Sequence, residues 1–123
     1  MAATTYTKNH LSNSTDGKGI KVAGTSSGGA TDIHTASTAS TTTDFDEVWI
    51  WCVNTSASAI KLTIMWGGTG DPDDFIEYTV APEDGLKCII PGLVLQHSLA
   101  IKAFAGTTNL LVIHGFVNSM VTA

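Results

Sequence analysis

The chain has 123 residues, 43% of them hydrophobic and 14% charged, which places it near the usual size of one compact domain. Its 6 basic side chains are all lysines, and against 11 acidic ones they leave a formal net charge of -5. A negative chain without arginine repels a polyanion and lacks the bidentate grip on phosphate and guanine, so nucleic-acid binding is excluded; with no run of about 20 apolar residues, so is a membrane-spanning helix.

The first residues, Met1 to Lys8, show neither a basic leader nor an apolar stretch, and a chain that folds in a cytoplasm is expected. Residues 1–19 are polar, rich in Thr, Ser, Asn and Gly, and close on Asp16-Gly17-Lys18-Gly19. Such a segment cannot bury enough apolar surface to offset its ordering entropy, so it reads as an N-terminal arm, loose or laid on a partner. Residues 20–123 read as a single β domain. Ile20-Lys21-Val22 and Ile33-His34-Thr35 are brief extended pieces, and the low-complexity run Ala36–Thr43 is a surface loop.

From Glu47 onward, β-branched and aromatic residues gather in short runs with turn residues roughly every ten positions. Val48–Val53 is apolar on both parities, the pattern of a strand covered on both faces. Ile60, Leu62 and Ile64 alternate with Lys61, Thr63 and Met65, giving one core face and one more exposed face. After the breaker-rich turn Gly67–Asp74, Ile76, Tyr78 and Val80 alternate with Glu77 and Thr79, and Ala81-Pro82-Glu83-Asp84-Gly85 turns the chain. Leu86, Cys88 and Ile90 face one way on the next strand, which Pro91-Gly92 stops. Leu99, Ile101 and Ala103 mark another, and a loop at Gly106–Asn109 leads into a central or doubly covered last strand, Leu110–Val117. No window has helical periodicity. The pattern predicts an all-β domain, an antiparallel β-sandwich or small barrel of jelly-roll kind with about eight strands, carrying the extended arm.

Few residues offer chemistry. Cys52 and Cys88 lie in apolar segments and read as buried free thiols, a disulfide being open only if their strands adjoin. Gly24-Thr25-Ser26-Ser27-Gly28 fits the GxSxG pattern of a nucleophile elbow, but an all-β chain lacks the strand-to-helix turn that lifts such a serine. Asp71-Pro72-Asp73-Asp74 offers three carboxylates, yet Phe75 stands where an EF-hand loop needs its third ligand, and turn chemistry accounts for the run. His10, His34, His97 and His114 show no zinc spacing, and His114 reads as a hydrogen-bonded core or interface histidine. Trp49, Trp51, Trp66, Phe75 and Tyr78 supply either packing or an aromatic platform for sugar. Trp49 and Trp51 share a strand face; with Ile50 and Cys52 inward, their rings meet a second sheet, a neighbour or a ligand. No enzyme activity, metal or cofactor is expected.

The blocks Ile33-His34-Thr35-Ala36, Asp46-Glu47-Val48-Trp49-Ile50 and Leu62-Thr63-Ile64-Met65-Trp66-Gly67-Gly68-Thr69 are followed by Asp71-Pro72-Asp73-Asp74, Pro91-Gly92-Leu93 and His114-Gly115-Phe116-Val117-Asn118. In order and spacing they resemble a family of small tailed-phage virion proteins. The resemblance covers most of the chain after the arm, and it implies a structural virion component, above all a capsid decoration or cement protein. Such a protein is assembled in the host bacterial cytoplasm, binds the major capsid protein on the outer capsid surface, and forms a homo-oligomer, with a trimer favoured. The expected interface residues are Tyr6 and Lys8 on the arm with Trp49, Trp51, Trp66, His114 and Phe116 on the domain. Where the family often carries arginine in its later strands, this sequence has lysine or neither. A neck or tail component is the alternative, and a glycan-binding β-sandwich module comes after it. A negative, arginine-free chain suits the outside of a DNA-filled shell.

Overall fold

The computed structural model describes residues 4–37 and 44–122. Within them lie β1 (Thr4–His10), β2 (Ile20–Lys21), β3 (Thr31–Thr35), β4 (Phe45–Asn54), β5 (Ile60–Trp66), β6 (Phe75–Val80), β7 (Lys87–Leu95), β8 (Ala100–Ala105) and β9 (Leu111–Thr122), with a 3-10 turn at Ser27–Gly29. No α-helix occurs among the described residues. The strands form two antiparallel sheets, one in the order β1-β9-β4-β7 with β2 also pairing β9, the other in the order β3-β8-β5-β6. β1 pairs with residues 116–122 of β9 and β2 with residues 112–113, so the two share one edge of that long strand while β4 takes the other. The all-β, two-sheet architecture expected from the sequence is what forms, and among the described residues the sheets do not close into a barrel.

The core is the space between the sheets. Val48, Ile50, Cys52, Ile113 and Val117 point inward from one sheet, and Ile33, Leu62, Ile64, Ile101 and Ala103 from the other, all essentially without solvent contact. Along β4 burial alternates residue by residue from Phe45 to Asn54, as a two-residue period demands. Its outer row, with Trp49, Trp51 and Val53, is half-buried, not covered by a further layer as the apolar run implied. Gly115 on β9 faces inward against β4, where a Cβ would lie 2.2 Å from the Trp49 carbonyl oxygen; only glycine lets the two central strands approach this closely there.

Several expectations are corrected. Thr63 and Met65 on β5 are buried although their parity is the outer one. β5 lies between β6 and β8, and the large side chains flanking it, Phe75 and Phe104, meet edge to face with centroids 5.7 Å apart. Pro91-Gly92 does not stop β7, which continues to Leu95. Two register shifts absorb the disruption, and Gly92 takes φ +84 at the second of them. These bulges also break the predicted parity of Leu86, Cys88 and Ile90: Ile90 is buried, whereas Leu86 and Cys88 are exposed. Cys88 is therefore not a buried thiol. β4 and β7 do adjoin, but Cys88 lies opposite Trp51 on the outer face and Cys52 points into the core, so both cysteines are free.

Residues 4–10, within the stretch read as an arm, form β1. Leu11, immediately after it, is in the core at 1% exposure. Residues 38–43 of the low-complexity run lie outside the described residues.

Candidate interaction face

Strand alternation sends the outer rows of β1, β9 and β4 to one side of the five-stranded sheet. Trp49 and Trp51 are two residues apart on β4, and Phe116 on β9 is the direct cross-strand partner of Trp49. The three rings lie nearly parallel, with centroids 6.1 Å apart for Trp49–Trp51, 6.2 Å for Trp49–Phe116 and 5.8 Å for Trp51–Phe116. Separations of this size fall within the range in which aromatic pairs attract. Lys8 of β1 adds a cation over the Phe116 ring, its Nζ 4.5 Å from the centroid.

Polar contacts fix the rim of this cluster. The Trp49 indole Nε1–H donates to Glu47 Oε1 at 2.7 Å, and Asn118 Nδ2 donates to the same oxygen at 3.1 Å. These two bonds hold the Glu47 carboxyl below the usual carboxylate range. Gly92 on β7 leaves room for the indole: a Cβ there would come within 2.9 Å of Trp49 Cζ2. The face thus draws on four strands, and its rings are held in place from both sides.

Six of the seven expected interface residues lie on β1, β4 and β9 in this region, and they include the aromatic cluster. Lys8, Trp49, Trp51 and Phe116 form it, and His114 is the cross-strand partner of Trp51. His114 is half-buried on the outer face and is not a core residue. Tyr6 lies two residues from Lys8 on the same side of β1, 70% exposed and opposite Met120. Trp66 belongs elsewhere, half-buried at the end of β5 in the other sheet and packed against the core. The proposed aromatic platform also divides: Phe75 pairs with Phe104 on the four-stranded sheet, and Tyr78 sits on its edge strand β6 under Lys87.

The opposite outer face has another character. Lys61 and Glu77 form an exposed ion pair at 2.5 Å, and Lys102 approaches Asp32 at 3.7 Å. A shallow cavity of about 280 Å³ opens there beside Thr63, Phe75 and Phe104. In the Asp71–Asp74 turn, Asp74 Oδ2 accepts the Gly70 N–H at 2.9 Å and packs against Gly68, so this carboxylate shapes the loop. Ser26 of the GxSxG match precedes the 3-10 turn, and its backbone oxygen accepts from Gly29 N–H.

One polar cluster was not legible in the sequence. His34 and Asp46, each about 5% exposed, are joined by a 2.7 Å contact from His34 Nε2 to Asp46 Oδ2. Ser12 N–H donates to His34 Nδ1 at 2.9 Å, which fixes Nδ1 as the acceptor and leaves Nε2–H to donate to Asp46. Ser12 Oγ lies 2.7 Å from the same Nδ1 and accepts from Thr35 N–H at 2.7 Å, while Ser119 Oγ donates to Asp46 Oδ1 at 2.8 Å. A serine, a histidine and a carboxylate in a row are the parts of a nucleophilic triad. Here the lone pair that would take the serine proton already receives an amide N–H, and the wiring is that of a clamp joining the loop after β1 to β3, β4 and β9. Burial pushes the Asp46 carboxyl up, but the bonds from His34 and Ser119, attraction to His34 and the Ser37 backbone outweigh it and leave it below the ordinary value. The contacts span 22, 12 and 73 positions, beyond the reach of any local motif.

The chain matches no protein-family model, no curated protein and no solved structure.

Proposed function

We propose that this chain is a structural protein of a tailed-phage virion, a capsid decoration or cement protein that binds the outer surface of the head as a homo-oligomer. The carrying observation is the outer face of the five-stranded sheet, which presents Trp49, Trp51 and Phe116 in a pre-set stack rimmed by Lys8, Glu47 and Asn118, where the opposite face mixes the Phe75–Phe104 pair with exposed ion pairs. Aromatic residues rigidly held on an outer face are the usual anchors of protein interfaces. A domain that binds the assembled shell and not its free subunits stabilises that shell by mass action.

We read the sandwich as a jelly roll. Strands β2, β4, β7 and β9 fall in one sheet in the order β2-β9-β4-β7 and the other four in the order β3-β8-β5-β6, which supports that fold. Jelly rolls recur in viral capsid and lectin domains, which supports a virion role by analogy.

Counting copies per purified particle by calibrated mass spectrometry, against the major capsid protein, tests the proposal. Copies in the hundreds are expected. A ring-sized number would move the protein to the neck or tail, and absence from the particle would overturn a virion role.

A further inference from the structure

We propose that β1 is an exchangeable strand: residues 4–10 of one copy pair with residues 116–122 of β9 in a second copy and place Tyr6 and Lys8 on that copy's aromatic face. This rests on the homo-oligomer reading above and names the contact that builds it.

The strand gives no side chain to its own core, since all seven residues from Thr4 to His10 are exposed. It is held by the ladder running from Thr4↔Thr122 to His10↔Phe116, by Lys8 over Phe116, and by a 3.5 Å hydrogen bond from Asn9 Nδ2 to Ser119 Oγ. None of these contacts depends on both strands coming from one chain. A strand exposed on both faces is weakly specified in register and partner, because no buried row of side chains penalises an alternative. Its tether is the reverse. Leu11 is buried in the core, and Ser12 is bonded to both His34 and Thr35. The boundary at His10–Leu11 thus separates a fixed anchor from a strand with no core contacts to lose.

Exchange across that boundary repeats every ladder bond in the partner, the condition under which strand swapping is a low-cost route to an oligomer. It also makes the aromatic face a composite: the cation over Phe116 then comes from the neighbouring copy.

Thr7 and Ser119 are cross-strand partners, which allows a direct test. One chain carries Thr7→Cys, a second carries Ser119→Cys, and both carry Cys88→Ser to remove the exposed native thiol. The two are coexpressed, purified together and oxidised with glutathione. The expected product is a reducible cross-link between position 7 of one chain and position 119 of the other, in clear excess over both homodisulfides, identified by peptide mass spectrometry. No mixed cross-link, or one at only its statistical share, overturns the exchange. A single chain carrying both cysteines serves as a check that the register is right: it should give interchain bonds, and an intrachain bond alone also overturns the exchange. Particle copy number is read separately, so strand exchange can fail while the virion role stands.

Discussion

Asp46 shows how one residue couples packing to protonation. It sits at 4% exposure and is bonded to His34 from β3 and Ser119 from β9. Asp46→Ala leaves the buried His34 Nε2–H without its acceptor, and it is expected to lower unfolding free energy by about 1–3 kcal/mol, read from urea denaturation at neutral pH. The pH dependence follows from the carboxyl being held below its ordinary value of 3.8. Near and below that value the unfolded chain binds the proton more readily than the folded one. The stabilisation is therefore complete above the unfolded value and is lost as pH falls through the lowered folded value. The parent should lose stability more steeply than Asp46→Ala as pH falls through 3.8 and below; equal slopes would show that Asp46 does not drive acid sensitivity. Cys52 lies at the other extreme of reactivity, since burial pushes its thiol up to about 12 and keeps it in the neutral form.

Strands declared themselves in the sequence where one face is buried and the other is not. β8 alternates cleanly, and its inward Ile101 and Ala103 could be named in advance, whereas the apolar run of β4 read as covered on both faces although its burial alternates. β5 misled because the large side chains of its neighbours, Phe75 and Phe104, flank its outer row, a cross-strand effect that no local pattern contains. Pro91-Gly92 looked like a stop because proline lacks the N–H of a ladder; β7 is an edge strand, where that loss is tolerated. β1 was hidden by its polarity, for its ladder uses backbone groups that every sequence has. The aromatic face was partly legible, since the parity of Trp49 and Trp51 was visible and the meeting with Phe116 across β9 was not. The same element logic governs truncation. Among the described residues, removal of 1–10 takes away the strand pairing and exposed side chains of Thr4–His10, so the remaining chain should stay folded, with a small midpoint shift. Removal of residues 1–19 also deletes Leu11 and the Ser12 clamp, and a cavity of leucine size costs about 2–5 kcal/mol. Thermal melts of both truncations followed by circular dichroism should separate them clearly; equal midpoints would mean that Leu11 is not a true anchor.

At the scale of the molecule, the two outer faces set an orientation. The four-stranded sheet carries exposed pairs of opposite charge, Lys61–Glu77 and Lys102–Asp32, which water solvates well and which contribute little on their own. The five-stranded sheet carries three large rings whose bodies touch one another and whose outer edges remain half-exposed. A net charge of -5 sets up long-range repulsion that short-range contacts must outweigh on binding, and Trp49, Trp51 and Phe116 supply large apolar side chains for such a contact. Trp51→Ala should therefore act mainly on assembly. Its ring lies outside the core, and the isolated domain should stay folded. Affinity for purified capsids should fall at least about tenfold, the equivalent of about 1.4 kcal/mol, since a central aromatic anchor commonly carries more than that. Glu77→Gln, on the opposite face, breaks an exposed ion pair and should leave affinity unchanged. Sedimentation of capsids with each variant decides the orientation: if Glu77→Gln weakens binding and Trp51→Ala does not, the shell is met by the charged face and the aromatic stack is turned outward.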